Sequence, residues 1–161
     1  FSSRRRHTRY ISVTGVQTCA LPILVRPHHG FDPKRFIPPG RNAAEHYGRF
    51  LTGEIAGDDT IVLVAELDGE VVGYCYAALE GKDWLSLRGP AGAIYDILVD
   101  PAARGRGAGR RLLDAMLRTL AERGAPQVVL FTATQNEAAQ RLFARAGFRS
   151  TMIEMTRELG G

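Results

Sequence analysis

The sequence predicts an α/β (α+β) protein built on a mixed sheet. Three observations carry this. Helix-like and strand-like segments follow one another in the order α, β, β, β, α, β, α, β. An Asp68-Gly69 pair joins two alternating apolar runs, as a tight hairpin turn requires. Leu112, Leu113, Met116, Leu117 and Leu120 recur at helical spacing and form one apolar face.

The elements follow in order. Leu24–Gly40 is rich in Pro, Gly and His and reads as a loop. Asn42–Ile55 carries Ala43, Ala44, Tyr47, Phe50, Leu51 and Ile55 at helical spacing, and Gly57 with two aspartates ends it. Thr60–Leu67 is a strand through Ile61, Val62, Leu63 and Val64, and Glu70–Leu79 is its return strand. Gly81–Gly92 is a polar loop with the character of a lid. Ala93–Val99 is a third strand, closed by Pro101. Gly107–Arg123 is a helix with Gly124 as its stop. Gln127–Thr134 is a fourth strand. Asn136–Ala146 is a short helix, capped either by Asn136 or by a Thr134-x-x-Glu137 box, with Gly147 as its left-handed terminus. Arg149–Glu158 is a final strand.

Composition bounds the function. The chain has 161 residues, enough for one domain with a real core, and 45% hydrophobic with 24% charged residues is ordinary for a globular protein. No apolar run approaches the roughly 18 residues of a membrane span, so no membrane partner is expected. Cys19 and Cys75 are too few for a disulfide framework and show no metal-ligand spacing. No metal is expected, and a cytoplasmic location is.

The formal charge of +4 suggests a nucleic-acid partner until its distribution is read. Arg4, Arg5, Arg6 and Arg9 account for the whole excess of 21 basic over 17 acidic residues. The rest of the chain is neutral, and no nucleic acid is expected to bind it. Phe1–Ile23 has neither helical nor strand periodicity and lacks the apolar or amphipathic pattern of a targeting peptide. Its two halves, Phe1–Arg9 and Val13–Ile23, resemble the fixed parts of a translated sequencing adapter, with Tyr10, Ile11 and Ser12 over a variable index. The expected organisation is therefore a non-native segment, 1–23, followed by one domain, 24–161.

The informative stretch runs from Asp96 to Leu113. A strand enters a turn containing Gly105, Gly107 and Gly109, and the turn opens a long helix. Alternating glycines let the backbone approach a ligand and aim successive N–H groups into one concavity. The helix N-terminus adds partial positive charge, a setting that suits a pyrophosphate. Arg104, Arg106, Arg110 and Arg111 flank it, and guanidinium groups match phosphate oxygens. A P-loop is excluded because no Gly-Lys-Ser/Thr follows. The dinucleotide fingerprint fits poorly, since GxGxxG spacing is absent and no helices join the preceding strands. A tight turn with solvated arginines remains the bland alternative.

Arg104-x-x-Gly107-x-Gly109 after Leu98-x-x-Pro101 resembles the pyrophosphate-binding motif of the GNAT superfamily of N-acetyltransferases. Asn136-x-x-Ala139-x-x-Leu142-Phe143-x-x-x-Gly147-Phe148 resembles its second coenzyme motif. The pair is far more specific than either part, and the resemblance covers about Asp59 to Glu158. It implies a mostly antiparallel mixed sheet with helices on both faces. Acetyl-CoA would lie where the parallel strands Ala93–Val99 and Gln127–Thr134 splay apart. Backbone amides of Ile97, Leu98 and Val99 would bond the pantetheine arm as an added strand would. Those of Gly105, Arg106, Gly107, Ala108, Gly109 and Arg110, flanked by Arg104, would hold the pyrophosphate. Asn136 would bond pantetheine from the other wall, and Phe143 would lie near the thioester sulfur.

The resemblance also implies a reaction, in which a small-molecule or peptide amine attacks the thioester directly. An N–H near Val99 would stabilise the oxyanion. The ammonium must first lose a proton, its ordinary pKa being about 10. Asp96 is the candidate base, acting through water, against the reading that it only bonds its neighbours. Tyr74, Tyr76 and Tyr95 stand in reserve. Two departures stand out. Many relatives have Tyr, a proton donor, where Phe143 stands. The family's first strand and helix have no counterpart, so both are expected to be missing from this chain. Their loss would leave Thr60–Leu67 as a free edge on which a homodimer could form. A non-catalytic acyl-CoA-binding module is the competing function. Cys75 reads as a packing residue, Trp84 as a loop residue, and His28, His29 and His46 show no ligand spacing.

Overall fold

The structure, a computed structural model, describes residues 27–38, 40, 41, 43–55 and 57–159. The segment 1–23 lies outside the described residues. The elements are α1 (Ala43–Ile55), β1 (Thr60–Leu67), β2 (Glu70–Glu80), β3 (Ala91–Val99), a 3-10 turn (Pro101–Ala103), α2 (Ala108–Glu122), β4 (Val128–Leu130) and α3 (Glu137–Arg145). The sheet order is β1-β2-β3-β4. The first two pairings are antiparallel and the last is parallel. The mixed α/β class expected from the sequence is the one observed.

Strand alternation sorts the side chains into two cores. Ile61, Leu63, Cys75, Ala77 and Ile94 pack beneath Leu112, Leu113, Met116 and Leu120 of α2 and Phe143 of α3. Val62, Val64, Tyr74, Tyr76 and Leu98 pack on the opposite face against Leu51 of α1. Helices therefore cover both faces. Each fully buried Leu or Met contributes about 1.5–3 kcal/mol by leaving water, so the apolar stripe of α2 is the main anchor of the fold. The β1–β2 turn has Asp68 at φ 55° and Gly69 at φ 88°, as the Asp-Gly pair predicts.

Strand β3 carries a bulge. Tyr76 pairs with Asp96 and Ala77 with Ile94, so Tyr95 is an extra residue. Ile94 and Ile97 consequently face the same core although they are three apart. Tyr95 is left half-exposed, with its ring 4.9 Å from that of Tyr76.

Four expectations need correction. The fourth strand is only Val128–Leu130, because its ladder with β3 ends at Ile94, where the bulge begins. Residues 149–159 form no strand: Met152, Ile153 and Met155 are exposed, and no ladder partner faces them among the described residues. That stretch is tied instead by Arg35, whose guanidinium takes both oxygens of Glu154. Residues 27–31 are helical rather than loop. The 81–90 loop is pinned rather than lid-like. Asp83 and Arg88 exchange backbone hydrogen bonds of 2.9 Å, and the Asp83 carboxylate accepts from Leu85 N at 2.9 Å and Ser86 Oγ at 2.7 Å.

Candidate active site

Beyond the Ile94–Leu130 rung, the parallel strands lose their pairing and a cleft opens between them. It encloses about 230 Å³. Tyr95, Asp96 and Ile97 form the β3 wall, Phe131 and Thr132 continue β4, and Asn136, Ala139 and Phe143 close it from α3. His28, Phe36 and Ile37 reach across from the N-terminal segment. That segment is held by its own contacts: His29 Nδ1 lies 3.0 Å from the Phe36 carbonyl, and the His28 ring meets Phe36 edge-on at 5.2 Å.

The strand then runs directly into the glycine turn. Asp100 caps the 3-10 turn, its carboxylate accepting from Ala102 N at 2.8 Å. Gly105 and Gly107 have φ of 74° and 79°, a region in which a β-carbon is penalised. Gly107 is the N-cap of α2 and has no side chain to occupy the first free N–H groups. The turn is exposed from Arg104 to Gly107. Gly109 differs, since it lies inside α2 without a positive φ. A β-carbon there would meet Val99 Cγ2 at 3.6 Å and Leu142 Cδ2 at 3.7 Å, ordinary contacts. Conformational need therefore falls on two of the three glycines.

The arginines do not converge on this turn. Arg104 donates to the Val99 carbonyl at 3.1 Å, and Arg106 lies 3.7 Å from Asp68. Arg110 bonds Asp114 at 2.8 Å and the Arg145 carbonyl at 3.2 Å, bridging α2 to the end of α3. Arg111 folds back onto the Arg106 carbonyl at 2.9 Å. Each guanidinium thus has a protein acceptor, and the turn presents backbone N–H groups first.

Asp96 is half-buried, and burial pushes its carboxyl up to about 7. Tyr74, 2% exposed, donates to its Oδ2 at 3.3 Å. The reserve tyrosines are engaged elsewhere: Tyr76 donates to Glu54 at 2.9 Å, and Tyr95 to Glu80. Burial comes first among the causes that raise all three phenols.

Residues 30–148 match the model of the acetyltransferase (GNAT) family. The chain belongs to this family. Among curated proteins it is 38% identical to a mycothiol acetyltransferase of Thermobispora bispora over 96 residues, 57% of this chain and 31% of that protein. It spans about a third of the length of the curated relatives it matches. Among solved structures it superposes on a mutant of the BH1408 protein from Bacillus halodurans with a TM-score of 0.78. That match has 19% identity and covers 95% of this chain and 99% of the other. An aminoglycoside N-acetyltransferase in complex with CoA superposes with a TM-score of 0.59 at 20% identity, covering 73% and 86%. These structural likenesses concern the fold.

Within this GNAT fold, Asp96, Ile97, Asn136 and Phe143 meet in one cleft. Asn136 caps α3 by accepting from Ala139 N at 3.3 Å, which settles the choice against the Thr134 box. Phe143 is 6% exposed, and its ring packs against Phe148 at 5.9 Å. Leu98 points its side chain into the α1-side core, and Val99 packs toward α2. Sequence reasoning missed His28, Phe36, Ile37, Phe131 and Thr132 as cleft residues. Phe131 carried a usable signal: an aromatic late in a strand that splays from its partner. Among the described residues no cluster of three or more His, Cys, Asp or Glu could hold a metal, and no helix is long and apolar enough to cross a membrane.

Proposed function

We propose that this chain transfers an acetyl group from acetyl-CoA to a primary amine. The observation that carries the reading is continuity. One strand, β3, borders the cleft at Asp96 and Ile97 and leads through the 3-10 turn to the N-terminus of α2, where Gly107 sets no side chain over the first N–H groups. A long ligand with an anion at one end and an acyl group at the other fits that track.

The donor set suits CoA. The amides of the exposed residues Gly105, Arg106 and Gly107, with those of Ala108, Gly109 and Arg110 following, suit a pyrophosphate, and Arg104 stands alongside. The edge of β3 released beyond Ile94 suits the amides of a pantetheine arm through Ile97, Leu98 and Val99. The Asn136 oxygen is occupied by the cap, so its side-chain N–H groups are what it offers a ligand. Phe143 supplies an apolar wall near the sulfur. The thioester supplies an activated acyl carbon and a thiolate that leaves readily. Asp96 accepts the proton of the incoming ammonium, directly or through water, since only a neutral amine is nucleophilic. An N–H near Val99 faces the developing oxyanion.

Phe143 favours a second reading, a non-catalytic acyl-CoA-binding module, because it offers no proton to a leaving thiolate. One experiment separates the two. CoA binding is measured by calorimetry, and thiol release from acetyl-CoA is followed over a panel of amines. Mycothiol-type and aminoglycoside-type compounds head the panel, on the names of the relatives, followed by polyamines, amino acids and peptide N-termini. Binding with amine-dependent thiol release supports the transferase. Binding without release over the whole panel supports the module, and absence of binding removes both. We place the activity in the cytoplasm, where the buried free thiol of Cys75 stays reduced. The outer edge of β1 is unpaired among the described residues and would admit a second copy, which light scattering tests.

A further inference from the structure

Tyr74 occupies a position whose neighbours are otherwise mostly apolar. Leu51, Val62, Val64 and Leu98 surround it, and its hydroxyl reaches Asp96 Oδ2. A hydroxyl in such a place costs free energy unless it has a partner. Phenylalanine would fill the same space without that cost, so the oxygen calls for an explanation at the carboxylate. Three tyrosines of the sheet are divided among three carboxylates: Tyr76 serves Glu54, Tyr95 serves Glu80, and Tyr74 serves Asp96.

We propose that Tyr74 is a positioning residue for acetyl transfer, holding Oδ2 of Asp96 so that Oδ1 faces the cleft and receives the acceptor's proton. The proposal rests on the reading of Asp96 as the base. In the step itself an N–H bond of the acceptor ammonium breaks and an O–H bond forms on Oδ1. The Tyr74 hydroxyl keeps its own proton and donates to Oδ2 throughout. Two consequences follow from one hydrogen bond. The carboxylate cannot rotate freely about its χ2 angle, so the accepting oxygen stays aimed. The donor also favours the ionised form, opposing the burial that raises the group. Other groups near Asp96 are Tyr76 on β2, Tyr95 on β3 and His28 and Asn136 across the cleft, with the Glu54 and Glu80 carboxylates behind the two tyrosines.

The test is a ¹³C NMR titration of the Asp96 carboxyl carbon in the full chain, which needs no acceptor. Tyr74→Phe is expected to move the midpoint upward by at least about half a pH unit. Tyr76→Phe, which removes the hydroxyl of the neighbouring tyrosine, bonded to Glu54 and not to Asp96, is expected to leave it in place. With an amine found active in the thiol-release panel, Tyr74→Phe is expected to lower kcat about 3- to 30-fold at unchanged acceptor KM and to move the acidic limb of kcat/KM upward. A midpoint unmoved by Tyr74→Phe, with Asp96→Asn inactive, overturns the role of Tyr74 and leaves Asp96 as the base. Full activity in Asp96→Asn overturns the base reading itself. A midpoint moved equally by Tyr76→Phe shows a general loosening of the sheet and also overturns the proposal.

Discussion

Ile94 and Leu130 form the last rung between β3 and β4, one residue before Tyr95 drops out of the β2 ladder. Two irregularities thus coincide on one strand. On one side the bulge bends β3, and on the other β4 gives up its pairing. The space released is the cleft that holds Asp96. On the proposed function, chemistry and coenzyme binding would fall on the same strand, because one edge of β3 is free where its other edge is still anchored to β2.

The glycine turn should be unequally sensitive. Gly107→Val places a β-branched residue at φ 79°, which costs roughly 1–2 kcal/mol, and puts a side chain where a pyrophosphate would approach. The expected loss of acetyl-CoA affinity is at least tenfold, about 1.4 kcal/mol. Gly109→Ala should stay within about threefold and leave stability unchanged or slightly higher, since its β-carbon meets only ordinary contacts. Calorimetry on both variants decides it. Equal losses would mean that ligand approach, not backbone conformation, governs the whole turn.

Asp96 should leave a signature in stability. Its carboxyl rises from an ordinary 3.8 to about 7 on folding, so the folded state binds the proton more tightly than the unfolded one. Stability therefore falls as pH rises from about 4 to 7 and levels off above. Asp96→Asn removes this penalty. It is expected to stabilise the protein by at least about 1 kcal/mol at pH 8, with the gain vanishing toward pH 4. Urea melts at both pH values check the sign. A gain that is the same at pH 4 and pH 8 would show that Asp96 does not titrate in this range.

Much of this was legible in the sequence because local chemistry dictates it. Asp68-Gly69 set a hairpin, the leucine spacing set α2, and Gly107 with the strand before it set the turn. Asn136 as a cap was readable for the same reason. What was not legible depends on contacts remote in sequence. The end of β4 at Leu130 is decided by where β3 bulges, and nothing within Gln127–Thr134 says so. Residues 149–159 were read as a strand but find no ladder among the described residues. His28 and Phe36 reach the cleft only because the segment 27–38 folds back across it. The arginines near the turn have the right composition for phosphate, yet each finds a nearer protein acceptor.

Residues 1–23 should be dispensable. They precede the family match, which begins at residue 30, and hold all of the net basic charge. Their deletion is expected to leave Tm and acetyl-CoA affinity unchanged within error. Differential scanning calorimetry with a parallel binding titration is the measurement. A clear drop in either would show that the segment packs on the domain and is part of it.

Phe143→Tyr tests how much the reaction needs a proton donor. A general acid contributes on the order of 10²–10⁴ where the leaving group demands one. Here the leaving group is a thiolate, whose conjugate acid has a pKa near 8.5, roughly that of free cysteine. It departs unprotonated far more readily than an amine would. The ammonium, with a pKa of about 10, is the group that cannot react until a proton moves. Deprotonation and positioning should therefore limit the rate. Phe143→Tyr is expected to raise turnover by less than about tenfold, and Asp96→Ala to lower it by more than that. The structure adds a stability term. Phe143 is 6% exposed against Phe148, so the new hydroxyl either emerges into the cleft or is buried without a partner, at about 1–3 kcal/mol. Steady-state kinetics of both variants, with a urea melt of Phe143→Tyr, reads both effects. A hundredfold gain in turnover would mean that the natural Phe leaves the site starved of an acid. That outcome would shift the balance toward a chain that binds acyl-CoA without turning it over.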